Sequence, residues 1–141
     1  MQNFYKKIFD ELKDILKETN YDYLEKICKY LILASKENKK VIIIGNGGSA
    51  AISSHVSVDL TKNAKIRSIN FNESDLLTCF SNDYGYDKVF SKSLEFYADK
   101  GDVVIIISSS GKSKNVLEAA KFCKKKKSCF LHLQECQNQI L

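Results

Sequence analysis

Val41-Ile42-Ile43-Ile44-Gly45-Asn46-Gly47-Gly48-Ser49-Ala50-Ala51 reads as a strand, a glycine turn and the start of a helix. Four β-branched residues in a row suit a strand buried on both faces, the pattern of a parallel sheet. The glycines end that strand, and Ser49-Ala50 open a helical pattern that runs to about Thr61. Such a junction is a common anion-binding geometry, because the N–H groups of the first helical turn and the positive dipole end face outward together. It is neither a Gly-x-Gly-x-x-Gly dinucleotide fingerprint nor a Gly-Lys-Ser/Thr phosphate loop. By itself it indicates an α/β protein with an anion site, or a plain turn of the chain.

A second strand of the same kind lies at Val103-Val104-Ile105-Ile106-Ile107 and runs into Ser108-Ser109-Ser110-Gly111-Lys112-Ser113. Val116, Leu117, Ala119, Ala120 and Phe122 then give a helical face. Between the two strong strands, residues 66–71 alternate as a further strand, 76–80 suit a short helix, 81–86 a polar and aromatic loop, and 88–97 another helix. Ahead of the first strand, Phe4, Ile8, Leu12, Ile15 and Leu16 mark one amphipathic helix. Leu24, Ile27, Tyr30, Leu31, Leu33 and Ala34 mark a second. The expected fold is α/β: a parallel, doubly wound sheet in three layers, with helices on both faces and an N-terminal helical pair over residues 1–38. Ligands of such folds bind beyond the C-terminal ends of the strands, where residues 45–49 and 108–113 fall. The helical pair precedes the first strand, so packing against a second copy, as a homo-oligomer, is expected.

Composition bounds the function. At 141 residues, 44% of them hydrophobic, the chain has material for one sizeable core. No apolar run is long enough to span a bilayer, and residues 1–7 lead into an amphipathic helix rather than a signal peptide, so a cytoplasmic location is expected. The five cysteines, Cys28, Cys79, Cys123, Cys129 and Cys136, are odd in number and include no Cys-x-x-Cys pair. They therefore imply neither a disulfide framework nor a cysteine zinc site. The net charge is +5, but five lysines and only one acidic residue fall from Lys121 onward. That is a basic tail rather than a nucleic-acid groove, and no nucleic-acid partner is expected.

Three groups of side chains carry potential chemistry. The hydroxyls of Ser108, Ser109, Ser110 and Ser113, beside Gly111, Lys112 and a helix start, suit a phosphate or an ordinary capped turn. His55 and Asp59 are one turn apart on the same helix face. They suit a divalent metal, acid–base work, or a simple surface pair, and a metal would need further ligands. Asp83, in Asn82-Asp83-Tyr84-Gly85-Tyr86, suits a turn cap or a hydrogen bond to sugar hydroxyls.

Three motifs in fixed order resemble the sugar isomerase (SIS) domain, and within it the phosphoheptose isomerases. They are Gly45-Asn46-Gly47-Gly48-Ser49, the stretch from Asn82 to Ser91, and Gly101-Asp102 leading through the strand to Ser108–Val116. The resemblance covers residues 1–123. It implies a flavodoxin-like parallel sheet, a homotetramer, and interconversion of sedoheptulose 7-phosphate with a mannoheptose 7-phosphate for surface polysaccharide (LPS or capsule). It implies that Ser108, Ser109, Ser110 and Ser113 hold the phosphate, that Asn46, Gly47 and Ser49 line the sugar end, and that Asp83 contacts hydroxyls. His55 matches a zinc-binding histidine, and Asp59 falls where the family has a glutamate that binds zinc and acts as base. Aspartate is one methylene shorter, and the family's arginine just beyond is replaced by Thr61-Lys62-Asn63. A second reading is a non-catalytic SIS module that binds a phosphosugar or a protein partner such as the replication initiator.

The resemblance also implies further strands and a helix, carrying Gln and His metal ligands, where this chain runs Lys124-Lys125-Lys126-Lys127-Ser128-Cys129-Phe130-Leu131-His132-Leu133-Gln134-Glu135-Cys136. Reading the codons for residues 130–136 two bases later accommodates Phe-Thr-Phe-Thr-Gly-Met, and four lysine codons form an A-rich tract prone to slippage. The expectation is a frameshifted product whose residues 124–141 are an atypical tail, leaving the sheet without an edge strand. His132 and Gln134 stand in that tail and are not expected to act as replacement ligands.

Overall fold

The computed structural model describes residues 2–126 and 129–134, the last segment as backbone. Its elements are α1 (Gln2–Lys17), α2 (Tyr21–Lys36), β1 (Val41–Gly45), α3 (Gly48–Lys62), β2 (Ser68–Asn70), α4 (Ser74–Tyr84), α5 (Val89–Tyr97), β3 (Val103–Ser108), α6 (Lys114–Lys126) and β4 (Cys129–Gln134). A single 3-10 turn, Tyr86–Lys88, joins α4 to α5. The strands form one parallel sheet in the order β2-β1-β3-β4. β1 and β3 pair in register from Val41↔Val103 to Gly45↔Ile107, so both end at the same level.

The sheet is buried from two sides, as its unbroken β-branched runs require. Ile42, Ile44, Val104 and Ile106 face a core with Phe71, Val89, Phe90, Leu94, Val116 and Ala119, carried mainly by α5 and α6. Val41, Ile43, Val103 and Ile105 face the other way, against Ala34 and Leu31 of α2 and Val56 and Leu60 of α3. The three-layer, doubly wound α/β arrangement is the one the sequence implies. With α3 on one face and α6 on the other, the winding reverses between β1 and β3. That reversal opens the crevice in which such sheets bind ligands.

Three sequence expectations are corrected. The alternating stretch 66–71 is a strand only over Ser68–Asn70. Asn82, Asp83 and Tyr84 are the last turn of α4 rather than loop, and the helix stops at Gly85, whose φ of 85° suits glycine. Phe80 and Tyr84, one turn apart, meet edge to face at 5.6 Å and hold that turn. The tail also differs: α6 continues to Lys126, and Cys129–Gln134 pairs in parallel with β3 from Val103↔Cys129 to Ser108↔Gln134. The edge of β3 leaves backbone groups to satisfy, and the backbone of Cys129–Gln134 pairs with them. Residues 127, 128 and 135–141, including Cys136, and the side chains of His132 and Gln134 lie outside the described residues.

At the opposite end of the sheet, the Asp102 carboxylate accepts the backbone N–H groups of Lys40 (3.0 Å) and Asp99 (2.8 Å). Lys40 Nζ bridges Asp102 and Asp99 at 2.6 Å each. This knot ties the starts of β1 and β3 together and fixes the register that levels their far ends. The helical pair is less engaged. α1 buries none of its residues, and Phe4, Ile8, Leu12 and Ile15 stay 44–62% exposed along one face.

Candidate functional site

The crevice is built from two strand-to-helix junctions side by side. In the first, β1 ends at Gly45 and α3 begins at Gly48. A Cβ at Gly45 would lie 2.7–2.8 Å from Ser49, so only glycine lets the strand end pass this close to the helix start. Gly47 has φ 54° and ψ −120°, which again suits glycine, and the loop closes with the Ser49 N–H donating to the Asn46 carbonyl at 2.9 Å. In the second junction β3 ends at the buried Ser108 and α6 begins at Lys114. The N-termini of α3 and α6 therefore open onto the same end of the sheet, where their dipoles favour an anion.

The serine loop is pre-folded by its own hydroxyls. Ser108 Oγ accepts the Gly111 N–H at 3.1 Å, and Ser110 Oγ accepts the Lys112 N–H at 3.2 Å. An accepting hydroxyl keeps its proton to donate, so both serines remain donors toward a ligand. Ser109 is exposed, and Ser113 is the half-buried residue whose carbonyl takes the first α6 hydrogen bond, from Leu117 at 3.0 Å.

The two junctions are tied through Asn46 by two residues, Asn115 and Tyr86, that sequence reasoning gave no role. Asn46 Nδ2 donates to Asn115 Oδ1 and Asn115 Nδ2 donates to Asn46 Oδ1, both at 2.9 Å. The Tyr86 hydroxyl, from the 3-10 turn, donates to Asn46 Oδ1 at 3.0 Å. The structure thus brings together Asn46, Gly47 and Ser49 with Ser108, Ser109, Ser110 and Ser113, and adds Asn115 and Tyr86.

Other predicted residues stand apart. Asp83 is exposed at the end of α4, where Asn82 Nδ2 donates to it at 3.0 Å and the Cys79 thiol lies 3.8 Å away. His55 Nε2 and Asp59 Oδ2 are 3.4 Å apart, on the outer face of α3 opposite the buried Ser53 and Ser57. The pair sits about two to three helical turns beyond Gly48, and among the described hydrogen bonds none joins it to either loop. Asn63 Nδ2 holds the second Asp59 oxygen at 3.1 Å. The His55 side chain is 79% exposed, and Ile52 and Val58 beside it are also exposed.

A family model for the SIS domain matches residues 3–128. The chain belongs to the SIS domain family. A phosphoheptose isomerase from Campylobacter concisus is 44% identical over 108 residues, 72% of this chain and 57% of that protein. One from Aliarcobacter butzleri is 40% identical over 110 residues, 74% of this chain and 58% of that protein. The chain thus spans under two thirds of the length of these curated relatives. Among solved structures, the phosphoheptose isomerase of Neisseria gonorrhoeae superposes with a TM-score of 0.85 at 28% identity, covering 94% of this chain and 75% of that one.

Membership of the SIS family raises the question of a metal. His55 and Asp59 are suitable donor types, one turn apart and open to solvent. Two donors do not make a site, and no group of three His, Cys, Asp or Glu side chains converges anywhere among the described residues. The described part of one chain therefore does not fit a resident zinc ion. Among the described residues no helix is long and apolar enough to cross a membrane.

Proposed function

We propose that this chain is a phosphoheptose isomerase-like aldose–ketose isomerase acting on sedoheptulose 7-phosphate in heptose synthesis for surface polysaccharide. The observation that carries this reading is the level pairing of β1 with β3, Gly45↔Ile107, with a glycine loop and a four-serine loop at adjoining strand ends. The likeness to proteins named phosphoheptose isomerase supports the same substrate class. The serine hydroxyls and the α6 N-terminus hold the phosphate, a handle remote from the reacting carbons that orients the sugar. Asn46, Gly47 and Ser49 line the sugar end, and Asp83 is assigned to the sugar hydroxyls. Moving the carbonyl between C1 and C2 requires one carbon to lose a proton and its neighbour to gain one. Asp59 is the proton carrier in this reading, with His55 as its partner; because the pair faces away from both loops of its own chain, the reading requires it to serve the crevice of another copy.

Zinc belongs to this reading only if ligands outside the described residues of one chain complete the pair. A homotetramer in the cytoplasm is also part of it. The uncovered apolar faces of α1, and of α3 around His55, support contact with further copies. The incomplete donor set supports a second reading, a non-catalytic SIS module that binds a phosphosugar or a protein partner. The deciding assay is isomerisation of sedoheptulose 7-phosphate by the purified chain, with and without added zinc. Turnover abolished by Asp59→Asn is the expected result. Tight binding of the sugar phosphate without turnover would replace the isomerase reading with the binding one.

A further inference from the structure

We infer that Asn115 and Tyr86 are positioning residues that lock the Asn46 carboxamide so that it meets a ligand only as a hydrogen-bond donor. The consequence for a bound sugar phosphate rests on the proposed function, whereas the lock itself does not.

The Val116 N–H can only donate, and it reaches Asn115 at 2.9 Å, so the atom there is the oxygen, Oδ1. That fixes the orientation of Asn115. Its Nδ2 then faces Asn46 and requires an oxygen there, while Asn46 Nδ2 turns onto Asn115 Oδ1. Asn115 is 2% exposed, so water cannot replace a lost partner. Reversing the Asn46 amide would set oxygen against oxygen and nitrogen against nitrogen.

Tyr86 completes the lock. A carboxamide oxygen has two lone pairs, and Asn46 Oδ1 already accepts from Asn115 Nδ2 and the Tyr86 hydroxyl. One Asn46 N–H is held by Asn115. The other has no acceptor among the described hydrogen bonds. Asn46 is half-buried at the end of β1, facing the crevice between the two loops. What remains to it there is a single donor, which selects an acceptor oxygen on the ligand, such as a carbonyl, a hydroxyl or the oxygen of an enediolate. An oriented donor of this kind costs little reorganisation when a ligand oxygen gains negative charge.

Two measurements test this on the full chain. The first needs no ligand: the side-chain amide resonances of Asn46 by 15N NMR. The expected result is one proton, the one held by Asn115, displaced from its free-amide shift and exchanging slowly, with Tyr86→Phe moving the Asn46 pair and leaving Asn72 unchanged. Asn46 protons at the shifts and exchange rates of a free carboxamide would overturn the lock, whatever the chain binds. The second is a double-mutant cycle on sedoheptulose 7-phosphate affinity by calorimetry. Tyr86→Phe is expected to weaken binding about five- to tenfold, to leave inorganic phosphate affinity unchanged, and to have no further effect once Asn46→Ala is present. An equal loss in both backgrounds would make Tyr86 a direct ligand contact and overturn its positioning role. A wild-type chain that binds inorganic phosphate but not the sugar phosphate would count against the proposed function, and the NMR result would still decide the lock.

Discussion

Asn46 and Asn115, separated by 69 positions in the chain, exchange two amide hydrogen bonds of 2.9 Å each. This pair joins the end of β1 to the first turn of α6, so the glycine loop and the serine loop are held as one unit. Asn115→Ala strands the Asn46 amide and the Val116 N–H, both partly or wholly out of water. The expected cost is about 1–3 kcal/mol of unfolding free energy, read as a lower urea midpoint at unchanged slope. A midpoint equal to wild type would mean that the two junctions are positioned by the sheet alone.

Gly45 supports the same unit by absence of bulk. An alanine there would bring its Cβ within 2.7 Å of Ser49 Cβ and 2.8 Å of the Ser49 backbone. The clash is with a helix start rather than a flexible tip, so Gly45→Ala is expected to cost about 1–3 kcal/mol and to weaken phosphate binding. Thermal melting and phosphate calorimetry on the one variant check both effects.

How far the sequence reveals these features depends on how local their causes are. β1 and β3 were legible because four and five β-branched residues in a row leave few alternatives to a doubly buried strand. The loops after them were legible as strand-to-helix junctions for the same local reason. β2 was overestimated, since alternation over 66–71 does not say where pairing stops. β4 was missed because the open edge of β3, a tertiary feature, makes a strand of Cys129–Gln134. Asn115 and Tyr86 escaped notice because their partner, Asn46, lies 69 and 40 residues away. The spacing of His55 and Asp59 was legible, but whether anything joins them is not a property of spacing.

The knot at the base of the sheet predicts a response to alkali. Burial opposes the charge on Lys40, but hydrogen bonds to Asp102 and Asp99, with their negative charges, outweigh it and raise its pKa above 10.5. Burial raises the Cys123 thiol from 9.0 to about 11. Both folded values lie above the unfolded ones, so each contribution is complete below the unfolded pKa and is lost as pH rises. Melting temperature should therefore fall from pH about 9 upward through Cys123, and further above about 10.5 through Lys40. Cys123→Ala should lower stability at every pH, by leaving a cavity, yet flatten the first part of that fall. An unchanged slope would remove Cys123 from the account.

The uncovered face of α1 makes a prediction about assembly. Leu12 is 50% exposed in the middle of the stripe formed by Phe4, Ile8 and Ile15. A stripe of this kind on a helix with no buried residue is a contact surface in search of a partner. Leu12→Asp is expected to lower the oligomer order in sedimentation velocity while leaving the far-ultraviolet circular dichroism unchanged. An unaltered sedimentation coefficient would assign that face to something other than a second copy.

The serine loop separates binding from folding. Ser108 is buried and its oxygen accepts the Gly111 N–H, whereas Ser109 is exposed and makes no side-chain hydrogen bond among the described residues. In the proposed function Ser109 is a donor to phosphate, and its replacement by alanine removes that donor and nothing else, so phosphate affinity should drop about five- to tenfold at an unchanged melting temperature. Ser108→Ala removes a donor and also a turn-closing acceptor, so both affinity and melting temperature should fall. If Ser109→Ala left phosphate affinity intact, the anion would sit deeper in the crevice, on Ser108, Ser113 and the α6 N-terminus, and the exposed hydroxyl would have no part in holding it.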